Sequence, residues 1–414
     1  MPFNKHDRQY DLVVWGATGF TGKRVAQHIA THFPTNLRWA LAGRTESKLR
    51  TVADECAKLN PDRLQPDVRT SALTTEDLTA LAKTTFILIS CVGPFAQYGE
   101  PAFAACAQSG THYLDITGEV PFTASMVRKY EAAAKATGAR MIPQAAIESA
   151  APDLVTWVLA QKVTEAGGRA GHVSVAVDLN ASPSGGTLAS AINLAGSYGP
   201  SQLRAATEPF AISPVPKSAT RPGPSLFTRL TGLRSIPALG RATTSIADSM
   251  NRPVIERSWG LHQSMPSLRS KSYGEGFTWG EYLDAPNALL GAALHVGFAV
   301  GGLMLLLAPV RWLLGRLVTA PGSGPDDESS RADEIRYRAV ASGGGEKPKA
   351  YCEAGYQGPM YTFSAILVSQ AALTLLEDDL DLPGGCYTPA CLGQGYVDRM
   401  ACHGFPIEAR LLEE

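Results

Sequence analysis

Apolar and polar positions follow two rhythms along this chain. Up to about residue 150, short continuous apolar runs alternate with stretches of helical period, the pattern of strands buried between helices. Strands are expected at 12–15, 37–42, 64–68, 85–92, 111–116 and 139–144. Helices are expected between them at 23–32, 49–59, 75–82, 101–109 and 124–136, the last two stopped by Gly110 and Gly138. This order predicts an α/β fold, a Rossmann-type doubly wound parallel sheet over residues 1–150. After 150 the rhythm loosens into a second, α+β domain over 151–385, where substrate binding or dimerisation is expected. Val173, Val175, Val177 and Leu179 alternate as a half-buried strand over 172–180, and 335–341 alternates likewise. Residues 182–186 read as a loop, 187–195 and 361–376 as helices, and the Pro- and Ser-rich 213–226 as a surface excursion.

The first strand runs into Gly16-Ala17-Thr18-Gly19-Phe20-Thr21-Gly22 and then a helix. Strand, glycine turn and helix N-terminus together form a cradle for a pyrophosphate. Gly16 permits the turn, Gly19 lets backbone approach the phosphates, and Gly22 lets the helix pack closely. The second strand ends in Gly43-Arg44-Thr45-Glu46-Ser47-Lys48. An acidic residue here would hold the ribose hydroxyls of NAD. Arg44 stands there instead, with Ser47 and Lys48 behind it, and a guanidinium suits a 2′-phosphate. The turn and Arg44 together predict NADP(H).

Composition excludes more than it selects. The net charge of −1 and the lack of long like-charge runs give no case for nucleic acid. Seven cysteines show neither zinc nor redox spacing, and the polar Met1–Gln9 stretch does not read as a secretory signal. Reduced thiols on the cytoplasmic side are expected. His28 and His32 lie four apart with no third ligand in view, so no metal site is expected.

Several segments carry a family resemblance: Val14 to Gly22, Gly43-Arg44, Cys91-Val92-Gly93-Pro94-Phe95 with Tyr98-Gly99, and Tyr113-Leu114-Asp115-Ile116-Thr117-Gly118-Glu119. With Ser184-Gly185-Gly186-Thr187, the segment Pro321 to Pro325, and Gly385 to Ala390, they resemble the saccharopine dehydrogenase-like oxidoreductases, a family that includes trans-acting enoyl reductases. The resemblance implies an NADP-binding Rossmann domain, an α+β second domain, and C-terminal helices at about 386–414 returning to the first. It also implies that Cys91, Val92, Gly93 and Pro94 lie along the cofactor. Where the family usually reads Gly-Phe-Asp-Ser-x-Pro-x-Asp, this chain has Ala146-Ile147-Glu148-Ser149-Ala150-Ala151-Pro152-Asp153, a changed hinge beside the nicotinamide position.

Candidate chemistry gathers near that hinge. Tyr98 could donate a proton, while Asp115, Glu119 and Glu148 could act as acids or instead cap helices and close ion pairs. No nucleophile elbow, zincin motif or Walker lysine is present. The expectation is an NADPH-dependent reductase of a C=C bond on a hydrophobic, lipid- or polyketide-type or carrier-bound substrate. Reduction of a C=N bond, or an NADP-binding scaffold or redox sensor with little turnover, are the alternatives.

One run departs from all this. Residues 288–307 carry no formal charge, enough for a bilayer span by length. Sequence on both sides belongs to one domain, so a hairpin bent at Gly301-Gly302 within 285–319 is expected, dipping into the endoplasmic reticulum membrane or a lipid droplet. A buried core helix or a homodimer interface is the competing reading.

Overall fold

The structure is a computed structural model that describes residues 3–181, 192–216, 223–316, 330–342 and 348–413. Its strands in chain order are β1 (Tyr10–Trp15), β2 (Trp39–Gly43), β3 (Asp67–Thr70), β4 (Thr85–Ser90), β5 (His112–Asp115), β6 (Arg140–Ile142) and β7 (His172–Asn180). There follow β8 (Arg234–Ile236), β9 (Gly240–Thr244), β10 (Thr278–Asp284), β11 (Glu334–Ser342), β12 (Pro348–Gln357), β13 (Gly385–Cys386) and β14 (Ile407–Leu411).

The first sheet is parallel in the order β13-β6-β5-β4-β1-β2-β3. All six residues of β1 are buried, because helices cover both faces of the sheet. Asp11, polar within that strand, is answered by Arg38, whose N–H donates to Oδ2 at 2.7 Å. The chain order reverses between β1 and β4, and the crevice beyond their carboxyl ends is where such sheets bind ligands.

The second sheet runs β14-β12-β11-β7-β10-β9-β8, with β7 and β10 parallel and its other pairs antiparallel. A single hydrophobic cluster extends from Leu12 and Val25 through Trp157 and Leu367 to Val175 and Trp279, so the two sheets share one core.

Three expectations need correction. The first sheet has a seventh strand, Gly385–Cys386, supplied from far along the chain. The main helix that returns to the first domain is Met360–Glu377, and the expected 386–414 stretch joins it there through Cys386 in β13 and His403 beside His28 and His32. It packs on the helix Phe20–His32 and presses Tyr361 against Phe20, with ring centroids 4.9 Å apart. The helix Gln394–Cys402 packs on it in turn, Tyr396 donating to Leu367 O, and β14 then pairs with β12 in the second sheet. Third, the apolar run does not bend at Gly301-Gly302. Ala288–Leu305 is one helix, and the break falls at Leu306-Leu307, ahead of Pro309 at the start of the helix Ala308–Gly315. Glycine weakens a helix without removing a hydrogen bond, whereas proline removes a donor. The Ser184–Thr187 and Pro321–Pro325 motifs lie outside the described residues.

Candidate active site

At the crossover the glycine turn is built from backbone. Gly16 adopts φ +86°, and a Cβ there would stand 2.7 Å from Val92 Cγ2 and 3.1 Å from the Cys91 carbonyl carbon. A Cβ on Gly22 would fall 2.2 Å from Gly16 O, so this glycine is what lets the helix Phe20–His32 start against the strand. Gly19 is different: its Cβ would meet only Gly16 O at 3.3 Å and Cys91 O at 4.0 Å. The room beside it suits a ligand. Gly19 also caps the helix without any side-chain bond, which leaves the first N–H groups of the helix facing the turn for an anion. Ala17 is buried behind the turn, Thr18 is exposed on it, and Phe20 and Thr21 are half-buried. The Phe20 ring carries the Arg24 guanidinium at 3.7 Å.

Arg44, Ser47 and Lys48 are exposed at the carboxyl end of β2 and in the first turn of Glu46–Leu59. Glu46 pairs with Arg50 at 2.6 Å, so among the described residues no carboxylate pairs with Arg44. An open guanidinium at the ribose end fits a 2′-phosphate.

Beyond β4, Gly93 and Pro94 lead into the short helix Phe95–Tyr98. Glu119, just after β5, accepts from the N–H groups of Phe95 and Ala96, each at 2.8 Å. Glu119 is therefore a cap that ties this loop to β5, with burial raising its pKa against those bonds. Asp115 is fully buried, with Oδ1 accepting from Thr117 N at 3.1 Å and Gln144 N at 2.8 Å. Its Oδ2 closes no hydrogen bond of good geometry, although the Tyr113 phenol lies near enough to favour the charge. Burial pushes its pKa up to about 7. A carboxyl with no exposed surface holds the turn and does not itself reach a substrate.

Glu148 occupies the hinge. It is exposed to solvent, yet protein crowds it closely enough to raise its pKa by desolvation. Both hold because it lies in a crevice: its Cγ would be 3.6 Å from a Cβ on Gly118, and on the other side its charge is felt by the buried Tyr337 of β11. Glu148 thus stands between the two domains. Tyr98 is 40% exposed, and no hydrogen bond engages its phenol among the described residues.

Behind the hinge runs a buried polar chain that sequence reasoning missed. Gln144, at the strained φ of +60°, donates from Nε2 to Ser149 Oγ at 3.2 Å. Ser149 donates to Asn251 Oδ1 at 3.2 Å, Asn251 Nδ2 to Glu281 Oε2 at 2.7 Å, and Ser245 to Glu281 Oε1 at 2.6 Å. Burial raises Glu281 to about 7 as well. Through Gln144 N the chain reaches Asp115, joining β5 of the first sheet to β10 of the second. Only Ser149 had a sequence signal, its place in the hinge motif. Tyr198, also unforeseen, reaches toward Glu119 at 3.5 Å.

Among the described residues no cluster of His, Cys, Asp and Glu could hold a metal ion. The rings of His28, His32 and His403 do gather, but the Gln370 amide nitrogen sits between His28 Nε2 at 2.8 Å and His403 Nε2 at 3.3 Å.

This geometry has known counterparts. The family described as the saccharopine dehydrogenase NADP binding domain matches residues 12–142. Over nearly all of both chains the protein is similar to the trans-acting enoyl reductase of Mycobacterium leprae, 30% identical over 415 residues and 97% of each. The trans-acting enoyl reductase of Mycobacterium ulcerans is 29% identical over 421 residues, 98% of this chain and 99% of that one. Among solved structures, apo histidine-tagged saccharopine dehydrogenase (L-Glu forming) from Saccharomyces cerevisiae shares the fold. Its TM-score is 0.57 at 10% identity, over 98% of this chain and 100% of that chain. With a glycine cradle and an open cation at its nucleotide end, and a relative 30% identical across both domains, the chain belongs to the saccharopine dehydrogenase-like family, as an NADP(H)-dependent oxidoreductase related to the trans-acting enoyl reductases.

Proposed function

We propose that the protein reduces the C=C bond of an enoyl group on a hydrophobic substrate. The observation that carries this reading is full-length similarity to chains named trans-acting enoyl reductase, joined to a carboxyl, Glu148, at the hinge between the two domains. Bound NADPH supplies a hydride. This chain's residues must orient the acceptor, exclude water and deliver one proton to the neighbouring carbon. Two solvent-accessible groups are the candidates: Glu148 at the hinge, whose pKa burial raises, and the Tyr98 phenol. Asp115 and Glu119 act by fixing the loops that present them.

The test is NADPH oxidation against a panel of 2-enoyl thioesters of increasing chain length, beside cyclic imines. Turnover of the enoyl compounds, rising with chain length, is expected. Turnover of imines alone would overturn the proposal. Glu148→Gln and Tyr98→Phe then separate the proton donors, because loss of the donor lowers kcat about a hundredfold and leaves NADPH affinity unchanged.

A further inference from the structure

Among the described residues, the helix Ala288–Leu305 is buried only at its root. Asn287 caps it, accepting from Leu290 N at 2.8 Å, and Gly291 is its one buried residue, with Thr243 donating to Gly291 O at 2.7 Å. His295 meets Thr244 Oγ1 at 2.8 Å and Arg229 O at 3.2 Å. Past His295 the helix leaves the protein. Val296, Val300, Leu303, Met304, Leu306 and Leu307 are 45% to 66% exposed. Every residue from Ala299 to Met304 is exposed, and at about 3.6 residues per turn such a run bares all sides of the helix. The second 18-residue apolar helix, Met360–Glu377, has 78% of its residues buried against 6% here. A protein partner would cover one stripe; an apolar medium covers every side.

We infer that this helix docks the protein on a phospholipid bilayer, entering one leaflet without crossing. The free part from Val296 to Leu307 is about 18 Å long at about 1.5 Å per residue, against a hydrocarbon core of about 30 Å. A crossing is also barred by topology, since β10 before the helix and β11 after it both pair with β7. The rim has interfacial chemistry. Arg311 closes the helix end by donating to Leu305 O and Leu306 O, and the Arg316 guanidinium lies 3.8 Å over the exposed Trp312 ring. A cation stacked on an aromatic ring suits the headgroup level, and anionic lipid strengthens it. The adjoining helix Leu226–Thr231 continues the surface with Leu226, Phe227 and Leu230, each more than 60% exposed.

The dock stands beside the cleft. A Cβ on Gly196 would be 3.9 Å from Arg311 Nε, and two residues later Tyr198 reaches Glu119. A substrate dissolved in the leaflet therefore arrives at the reaction end of the cleft, a step that rests on the proposed hydrophobic substrate, whereas docking itself does not.

The experiment is flotation of the full chain with vesicles of phosphatidylcholine containing a minor share of phosphatidylserine, without detergent. The wild type floats. Val300→Glu/Leu303→Glu changes side chains that are more than half exposed, so it should lower the bound fraction about tenfold while melting temperature and NADPH affinity stay the same. A monodisperse wild type left at the bottom of the gradient overturns the dock. So does a dimer that this variant converts to monomers, which would assign the face to a second copy through Gly297 and Gly301. Oxidation of NADPH by a short, water-soluble enoyl thioester is measured in parallel without vesicles. Activity without flotation removes the dock alone; flotation with no oxidation by the short thioester or by the long-chain members of the panel removes the substrate reading and leaves the dock.

Discussion

The two ends of the cleft are made of different material. At the nucleotide end the surface is backbone: Gly16, Gly19 and Gly22 hold a turn whose room is defined by missing Cβ atoms. At the reaction end it is side chains, a buried line from Asp115 through Gln144, Ser149 and Asn251 to Glu281. A backbone site depends on steric permission at single positions, so one residue breaks it completely. A side-chain network shares its load across partners and fails by degrees.

The largest effects should therefore come from the turn. In Gly22→Val a side chain collides with Gly16 O, so both NADPH binding and the melting temperature of the first domain should fall. Gly19→Val presses on Gly16 O at 3.3 Å but otherwise fills ligand space, and should weaken NADPH by more than about a hundredfold, about 2.7 kcal/mol, with a far smaller loss of melting temperature than Gly22→Val. Fluorescence titration beside thermal unfolding checks both, and equal melting losses in the two variants would contradict the distinction.

In the network, Asn251→Leu leaves the Ser149 hydroxyl without its acceptor, though Gln144 still donates to it, and leaves Glu281 Oε2 without its donor, costing about 1–3 kcal/mol in denaturant unfolding. Glu281→Gln keeps most contacts and should cost less. NADPH affinity should hold in both, because the nucleotide end does not touch this line.

Arg44→Ala should remove most of the preference for NADPH over NADH, about tenfold or about 1.4 kcal/mol, read as the ratio of the two dissociation constants.

The smallest effect is one of pH. Asp115, Asp153 and Glu281 are buried carboxyls raised to about 7. Their contribution is complete below the ordinary carboxylate range near about 4 and is lost as pH rises through about 7. His28 and His112, lowered to about 3, and His262, lowered to about 4, act oppositely and lose stability as pH falls below about 6.5. Asp153 is held by Ser258 Oγ at 2.6 Å and Ala390 N at 2.8 Å. Asp153→Asn should flatten the alkaline limb of a melting-temperature profile by about 1 kcal/mol per pH unit within that window and leave the acid limb as it was.

The same contrast explains what could be read from the chain. The turn is legible because a positive φ and a blocked Cβ leave glycine as the residue that fits, and Arg44 because a cation replaces an expected acid. Asp115 and Ser149 stood out singly, but their network is illegible because its members lie at 115, 144, 149, 251 and 281 and meet only through folding. Asn251 looks like any residue in the first turn of a helix with Pro253 behind it. The apolar stretch is legible as unusual, but the glycine pair in its middle points to a break that Pro309 in fact sets.

The central claim is hydride transfer from NADPH bound at the turn to an enoyl carbon at the hinge. Its most direct measurement is mass spectrometry of the product formed from a long-chain 2-enoyl thioester with NADPH deuterated at C4. One deuterium at the former β-carbon, a proton from solvent at the α-carbon, and no transfer in Gly19→Val are expected. Product lacking deuterium with both stereoisomers of the labelled cofactor, or equal transfer by Gly19→Val, would contradict it.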